Sequence, residues 1–322
     1  MMKEKFIIPE KNTLKLLKKF IICMTLFCNV SCLQNNNYQT IVKEIIDLVP
    51  NSPNKQPVYY APVYSSNCRW DVYVNDVLLY HFPAKKGDII NVQLPLNMRI
   101  LASGKQIIKV RIYPLEGKTH LGEYATFKLR GEYYPDKRNM EKYDSFLNFE
   151  LPYEQAKDLP YFEKSFEFEA TVPYNLTGWT KSKDLTKVPN LEQKLLEKLK
   201  ALKKIIEASD DAKYLDAIKN REIEKYTSFY SSKEIMELAF QENKISNHFD
   251  DSYDVVFLPI DNYTLLLQGN NRIVELRMDG NDMYFWGIPF KGKYKDNNTN
   301  FEGSFNFRFH IPEGSDELEV IR

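Results

Sequence analysis

The sequence is short of the residues from which most active sites are built. Its 322 residues include four Cys, at 23, 28, 32 and 68, four His, 12 Gly and 3 Trp. So few glycines leave no Gly-rich phosphate cradle, and there is no GxSxG elbow. His81, His120, His248 and His310 never pair at i, i+3 or i, i+4, so no helical metal site is encoded. Net charge is missing too, because 44 basic side chains balance 44 acidic ones. Residues 1–31 hold six Lys and two Glu, which leaves 38 basic against 42 acidic residues beyond them. A nucleic-acid partner needs a basic face, and this balance argues against one. The apolar run Phe20 to Cys28 has nine residues, too few to cross the roughly 30 Å of a bilayer core.

What remains is an ordinary globular balance, 43% hydrophobic and 27% charged. The length suits about two domains. The 21 Tyr and 20 Phe favour pleated, half-buried surfaces, so β structure is expected to dominate.

The N-terminus reads as an address. Lys15, Lys18 and Lys19 precede the apolar run, and small residues follow it, as in a secretory signal. Asn29-Val30-Ser31-Cys32, then the polar Leu33-Gln34-Asn35-Asn36-Asn37, resembles the bacterial lipoprotein signal class, although Asn29 stands where that class usually has Leu. The resemblance implies that 1–31 is a signal peptide and that Cys32 becomes the first residue and the point of lipid attachment. It places the protein in the bacterial cell envelope, periplasmic or surface-exposed, with the membrane as a partner through a lipid anchor. Each buried methylene of the lipid contributes about 0.8 kcal/mol, so several acyl chains hold such a protein stably. With Cys32 lipidated, Cys68 is the one thiol left and no internal disulfide forms; without the lipid, a Cys32–Cys68 bridge becomes possible. Cys68 itself is expected to be a small buried residue beside Trp70.

Residues 32–57 read as a tether with one or two helical turns, ended by the turn Asn51-Ser52-Pro53-Asn54. Over 58–176 short alternating segments predict an all-β sandwich, Ig-like in outline. Trp70, Val72 and Val74 alternate with polar neighbours, Asn75-Asp76 forms a turn, and Val77 to Phe82 returns. Ile108, Val110 and Ile112 form the clearest inward set. Residues 177–190 form a linker, and 191–322 predict an α+β domain whose helices pack on a curved antiparallel sheet. Leu195, Leu199, Leu202 and Ile206 recur at helical spacing. Asn190 with Gln193, and Ser231 with Glu234, are expected capping boxes. Asp279-Gly280-Asn281-Asp282 reads as a turn into a strand over 283–288. Tyr214 to Tyr230, a helix–break–helix around Asn220-Arg221-Glu222, resembles part of the cone-shaped superfamily named after nuclear transport factor two. That resemblance implies a pocket between sheet and helices and no particular reaction.

Candidate binding residues are few. Tyr133 and Tyr134, with Tyr59, Tyr60 and Tyr64, fall in or beside predicted loops, where tyrosines stack on sugars or anchor a protein contact. His248 with Asp250 and Asp251 is the densest polar cluster. His310 lies on the outward phase of a Phe-rich strand and lines the cone if it closes the other way. No catalytic set, metal site or cofactor is predicted. The expectation is a non-enzymatic envelope protein that binds a protein partner or a surface ligand, with an immunity-type protein as a special case. A glycan-binding lipoprotein and an enzyme with a C-terminal pocket are the alternatives.

Overall fold

The computed structural model describes residues 36–278 and 287–322. The signal segment with Cys32, the turn 279–282 and most of the strand expected over 283–288 lie outside them.

Most of the described chain is antiparallel β structure. Strands β1 (Val58–Ser66), β4 (Ile89–Pro95), β6 (Thr126–Tyr134) and β7 (Asp144–Glu150) form a sheet ordered β4-β1-β6-β7. Strands β2 (Arg69–Val74), β3 (Val77–Phe82), β5 (Gly104–Tyr113) and β8 (Phe162–Ala170) form a second, ordered β3-β2-β5-β8. The Asn75-Asp76 turn between β2 and β3 has φ values of 53° and 63°, the left-handed pair that matches the twist of a tight hairpin. Alternation sends Val72, Val74, Ile108, Val110 and Ile112 into one core with Val63, Phe127 and Leu129 of the other sheet. Trp70 meets Phe127 edge-on at 5.5 Å, and Phe146 stacks on Phe168 at 4.5 Å, so the two sheets share this core. The Trp70 indole donates to Ser65 Oγ at 2.7 Å, which satisfies its polar edge in a dry site. Cys68 is fully buried beside it, and burial pushes its thiol up to about 12.

The rest of the chain joins helices to two smaller sheets. Residues 36–48 form a helix, α1. A four-residue turn of helix, α2 (Tyr153–Ala156), follows β7. After it come α3 (Leu191–Glu207), α4 (Asp211–Ala217), α5 (Lys219–Ser228) and α6 (Lys233–Glu242). Strands β9 (Ser252–Phe257), β12 (Ile288–Tyr294) and β13 (Asn300–Phe305) form a sheet ordered β13-β12-β9. Strands β10 (Tyr263–Gln268), β11 (Ile273–Met278), β14 (Arg308–His310) and β15 (Glu319–Ile321) form another, ordered β10-β11-β14-β15. Among the described residues these strands make two sheets, not the single curved sheet expected. The long Phe-rich strand breaks at Asn306-Phe307, yet Phe305, Phe307 and Phe309 all reach one core with the Leu195–Ile206 stripe.

Three local expectations need correction. Residues 36–48 of the stretch read as a tether form more than the one or two helical turns expected, because Tyr38, Val42, Ile45 and Ile46 recur at helical spacing and are buried in that same core. Asn190 sits at φ 54° and its side chain caps nothing, so the first capping box does not form. Ser232, not Ser231, caps α6 by accepting from the Ile235 N–H. Asp210 does cap α4, accepting from Lys213 N at 3.1 Å.

Candidate ligand-binding cavity

A tight turn places the key residue. After β4 the chain makes a 3-10 turn, Leu96–Met98, that buries Leu96 and Asn97. Asn97 pins this turn: its Oδ1 accepts from Tyr59 N at 2.8 Å, and its Nδ2 donates to Pro57 O at 3.2 Å. Arg99 follows and is only 2% exposed. Its Nε and Nη2 donate to Leu78 O, both at 3.3 Å, and its Nη1 donates to Met98 O at 3.0 Å. These acceptors are neutral. Burial, then the nearby Arg308 and Arg322, hold Arg99 well below the usual guanidinium value, and Glu275 offsets part of that.

Two more guanidinium groups, those of Arg308 and Arg322, line the same cavity as Arg99. Arg308 on β14 stands across from Glu275 of β11, and its Nε donates to Glu275 Oε2 at 2.9 Å. Glu275 also accepts from Gln268 Nε2 at 2.6 Å, and Gln268 Oε1 accepts from Leu78 N at 2.6 Å. This relay ties β3 to the β10–β11 hairpin through buried polar groups. Arg322 donates to Asn97 O at 3.3 Å and to Ile100 O at 2.9 Å, and its Nε lies 3.3 Å from Glu224 Oε2. On α5, Arg221 Nε donates to Glu222 Oε1 at 3.0 Å, and Lys225 Nζ donates to Glu222 Oε2. Helical spacing puts Arg221, Glu222, Lys225 and Ser228 on one face.

Arg99, Arg221, Glu222, Lys225, Ser228, Arg308 and Arg322 line a cavity of about 230 Å³, with Met98, Phe229 and Ile321 as its apolar lining. Five cations line it, Arg99, Arg221, Lys225, Arg308 and Arg322; of the three carboxylates paired with them, Glu222 is in the lining and Glu224 and Glu275 are not. Arg221, Glu222 and Lys225 also border a second cavity of about 430 Å³. Its other walls include Tyr38, Asp211, Tyr214 and His248.

The residues singled out from sequence are dispersed. Tyr133 and Tyr134 lie within β6, not in a loop: Tyr133 stacks on Tyr59 at 4.9 Å, and the buried Tyr134 donates to Glu132 at 2.9 Å. Tyr59, Tyr60 and Tyr64 belong to β1. His248 rims the larger cavity against Phe249 and Phe305, whose apolar surroundings hold its pKa below the ordinary value. Asp250 and Asp251 are exposed beyond it, and the structure brings neither to His248 as a polar partner. No group of three or more His, Cys, Asp or Glu among the described residues is arranged to hold a metal. His310 is buried, bonded to Ser182 Oγ at 2.7 Å, and held below its ordinary pKa by burial. The segment through Ser182 pairs with Pro312 and covers the phase expected to face out.

Sequence reasoning missed the cationic cluster. Arg308 alternates with Phe307 and Phe309 in the sequence, but alternation gives the side of a strand and not what lies over it. Arg99 and Arg322 carry no periodic signal. A second missed cluster lies on β2, β3 and β5, where His81 Nδ1 bonds Asp71. The other Asp71 oxygen accepts from the Tyr73 and Tyr113 hydroxyls, at 3.2 Å each.

Comparisons with protein-family models, curated proteins and solved structures find nothing that matches this chain.

Proposed function

We propose that this is a lipid-anchored protein of the bacterial envelope that binds a ligand in the 230 Å³ cavity without transforming it. In this reading the chain has an Ig-like sandwich over 58–176 and an α+β unit over 191–322, and the ligand sits where the two meet. The observation that carries it is Arg99, a buried guanidinium that bonds only to neutral main-chain acceptors beside two further arginines. Burying a charge without a counter-charge is costly, and such a cost persists where a bound partner offsets it. The anchor follows from the resemblance at Cys32. Helix begins by residue 36, so the link from Cys32 reaches at most about 14 Å, at roughly 3.6 Å per residue. The folded body therefore rides close to the membrane.

The test is hydrogen exchange on the lipidated chain in detergent, with and without the low-molecular-mass fraction of the envelope. Slower exchange at Leu96–Ile100 and in α5 supports the cavity as the binding site. Unchanged exchange there contradicts it.

A specific observation favours a second reading, a glycan-binding surface. Tyr124 is 75% exposed and Tyr161 54%, on two loops joined by Leu121 N to Leu159 O at 3.1 Å and Gly122 N to Lys157 O at 2.8 Å. Exposed tyrosines on braced loops offer flat faces for sugar rings. Protection confined to these loops on adding envelope polysaccharide would favour this reading.

A further inference from the structure

The charge count of the cavity specifies its ligand more narrowly. Glu275 serves Arg308, Glu224 serves Arg322, and Glu222 is shared by Arg221 and Lys225. Arg99 has none of the three, and one cation of the α5 pair is in excess. Five cationic side chains against three side-chain carboxylates leave a side-chain surplus of two positive charges. The three arginines come from separate segments, the turn after β4, strand β14 and the residue after β15. Guanidinium forks of this kind match oxyanions geometrically, and phosphate in particular. The Nε of Arg322 and the Oε2 of Glu224 are buried as an ion pair at 3.3 Å that falls short of hydrogen-bond geometry, and Arg322 lines this cavity. Met98, Phe229 and Ile321 supply an apolar side that free phosphate does not need and a carbon substituent does. The volume, about 230 Å³, lies below the usual range of about 300–1,000 Å³ for pockets that take drug-sized molecules.

We propose that this cavity binds a phosphate monoester dianion, with the phosphoryl group among Arg99, Arg308 and Arg322 and the ester carbon against Phe229 and Ile321. The assignment rests on reading the cavity as a ligand site. Its two charges match the side-chain surplus, which an uncharged sugar leaves in place and a cation increases. Lys225 is half exposed and reaches the phosphoryl group by releasing Glu222 to Arg221.

The test is isothermal titration of the full mature chain with inorganic phosphate, with glycerol 3-phosphate, and with vesicles containing phosphatidic acid. Chloride at matched ionic strength is the blank. The expected result is saturable binding of glycerol 3-phosphate, weakened at least tenfold by Arg308→Gln and measurably by Lys225→Gln. Lys128→Gln, which removes an exposed ion pair with Glu150, leaves it unchanged. Lys225→Gln keeps the test decisive if Arg308→Gln fails to fold. Binding of the free ester identifies a small soluble ligand; binding of the vesicles alone identifies a lipid headgroup, and both support the phosphate assignment. Heats equal to the chloride blank, or binding indifferent to both variants, overturn it. If envelope extract slows exchange at Leu96–Ile100 while the phosphate probes do nothing, the phosphate assignment falls and the cavity reading stands. If neither does, both fall.

Discussion

Replacing Ile45 by Ala tests whether α1 belongs to the folded body. Ile45 is fully buried, and it sits in one apolar cluster with Leu199, Leu202 and Phe309. The substitution removes three carbons and leaves a hole that the sheet and α3 cannot close. Such changes cost about 2–5 kcal/mol, and a site enclosed from both sides belongs near the middle, about 3–4 kcal/mol. Against a typical total of about 5–15 kcal/mol this is a large fraction. At about 2–4 °C per kcal/mol for a large domain, the melting temperature falls by roughly 6–16 °C. Urea unfolding followed by tryptophan fluorescence gives the free energy directly, as a lower midpoint with an unchanged slope. Leu48→Ala is the matched control, because Leu48 is 58% exposed, and it shifts stability by no more than about 0.5 kcal/mol. A loss below about 1 kcal/mol for Ile45→Ala would refute the placement of α1 in the core and restore the stretch to a peripheral role.

Other outcomes follow from the same residues. Cys32→Ser moves the protein from the membrane fraction to the soluble one and removes the acyl mass from the intact protein; persistence of both refutes the anchor. Glu275→Gln strips Arg308 of its carboxylate at a site where Glu275 is 2% exposed, and it costs about 3–5 kcal/mol in urea unfolding. A near-neutral result means that Arg308 escapes to solvent. Burial holds His310 below its unfolded value, so between the two values the unfolded chain binds the extra proton. Stability is therefore level above pH about 6.5, falls as the pH drops through that value by up to about 1.4 kcal/mol per unit, and levels off below the folded value. Melts of the wild type and His310→Gln between pH 7.5 and 5 check this; the variant loses less, and identical losses contradict it.

The sequence made the strands of the first half legible because they obey strict alternation. The Val72–Val74 and Ile108–Ile112 sets go where period two sends them, and Asn75-Asp76 turns where two left-handed residues are tolerated. The α3 stripe was equally plain, because Leu195, Leu199, Leu202 and Ile206 leave no other face to bury. The errors came where a short element takes its role from a distant partner. Residues 36–48 look like a polar tether, since Asn and Gln surround four apolar positions that count only once α3 and α6 cover them. Asn190 has a capping residue's identity, but a left-handed backbone turns its side chain away. The cavity was least legible of all. Arg322 lies 225 residues from the Asn97 carbonyl it bonds, and a buried guanidinium looks like a surface one until its neighbours are known.

The most direct measurement is a crystal structure of the mature chain grown with saturating glycerol 3-phosphate. The account predicts tetrahedral density bonded to Arg99, Arg308 and Arg322, with the glycerol carbons on Phe229. A cavity holding only water at that concentration, with the three guanidinium groups unmoved, would contradict it.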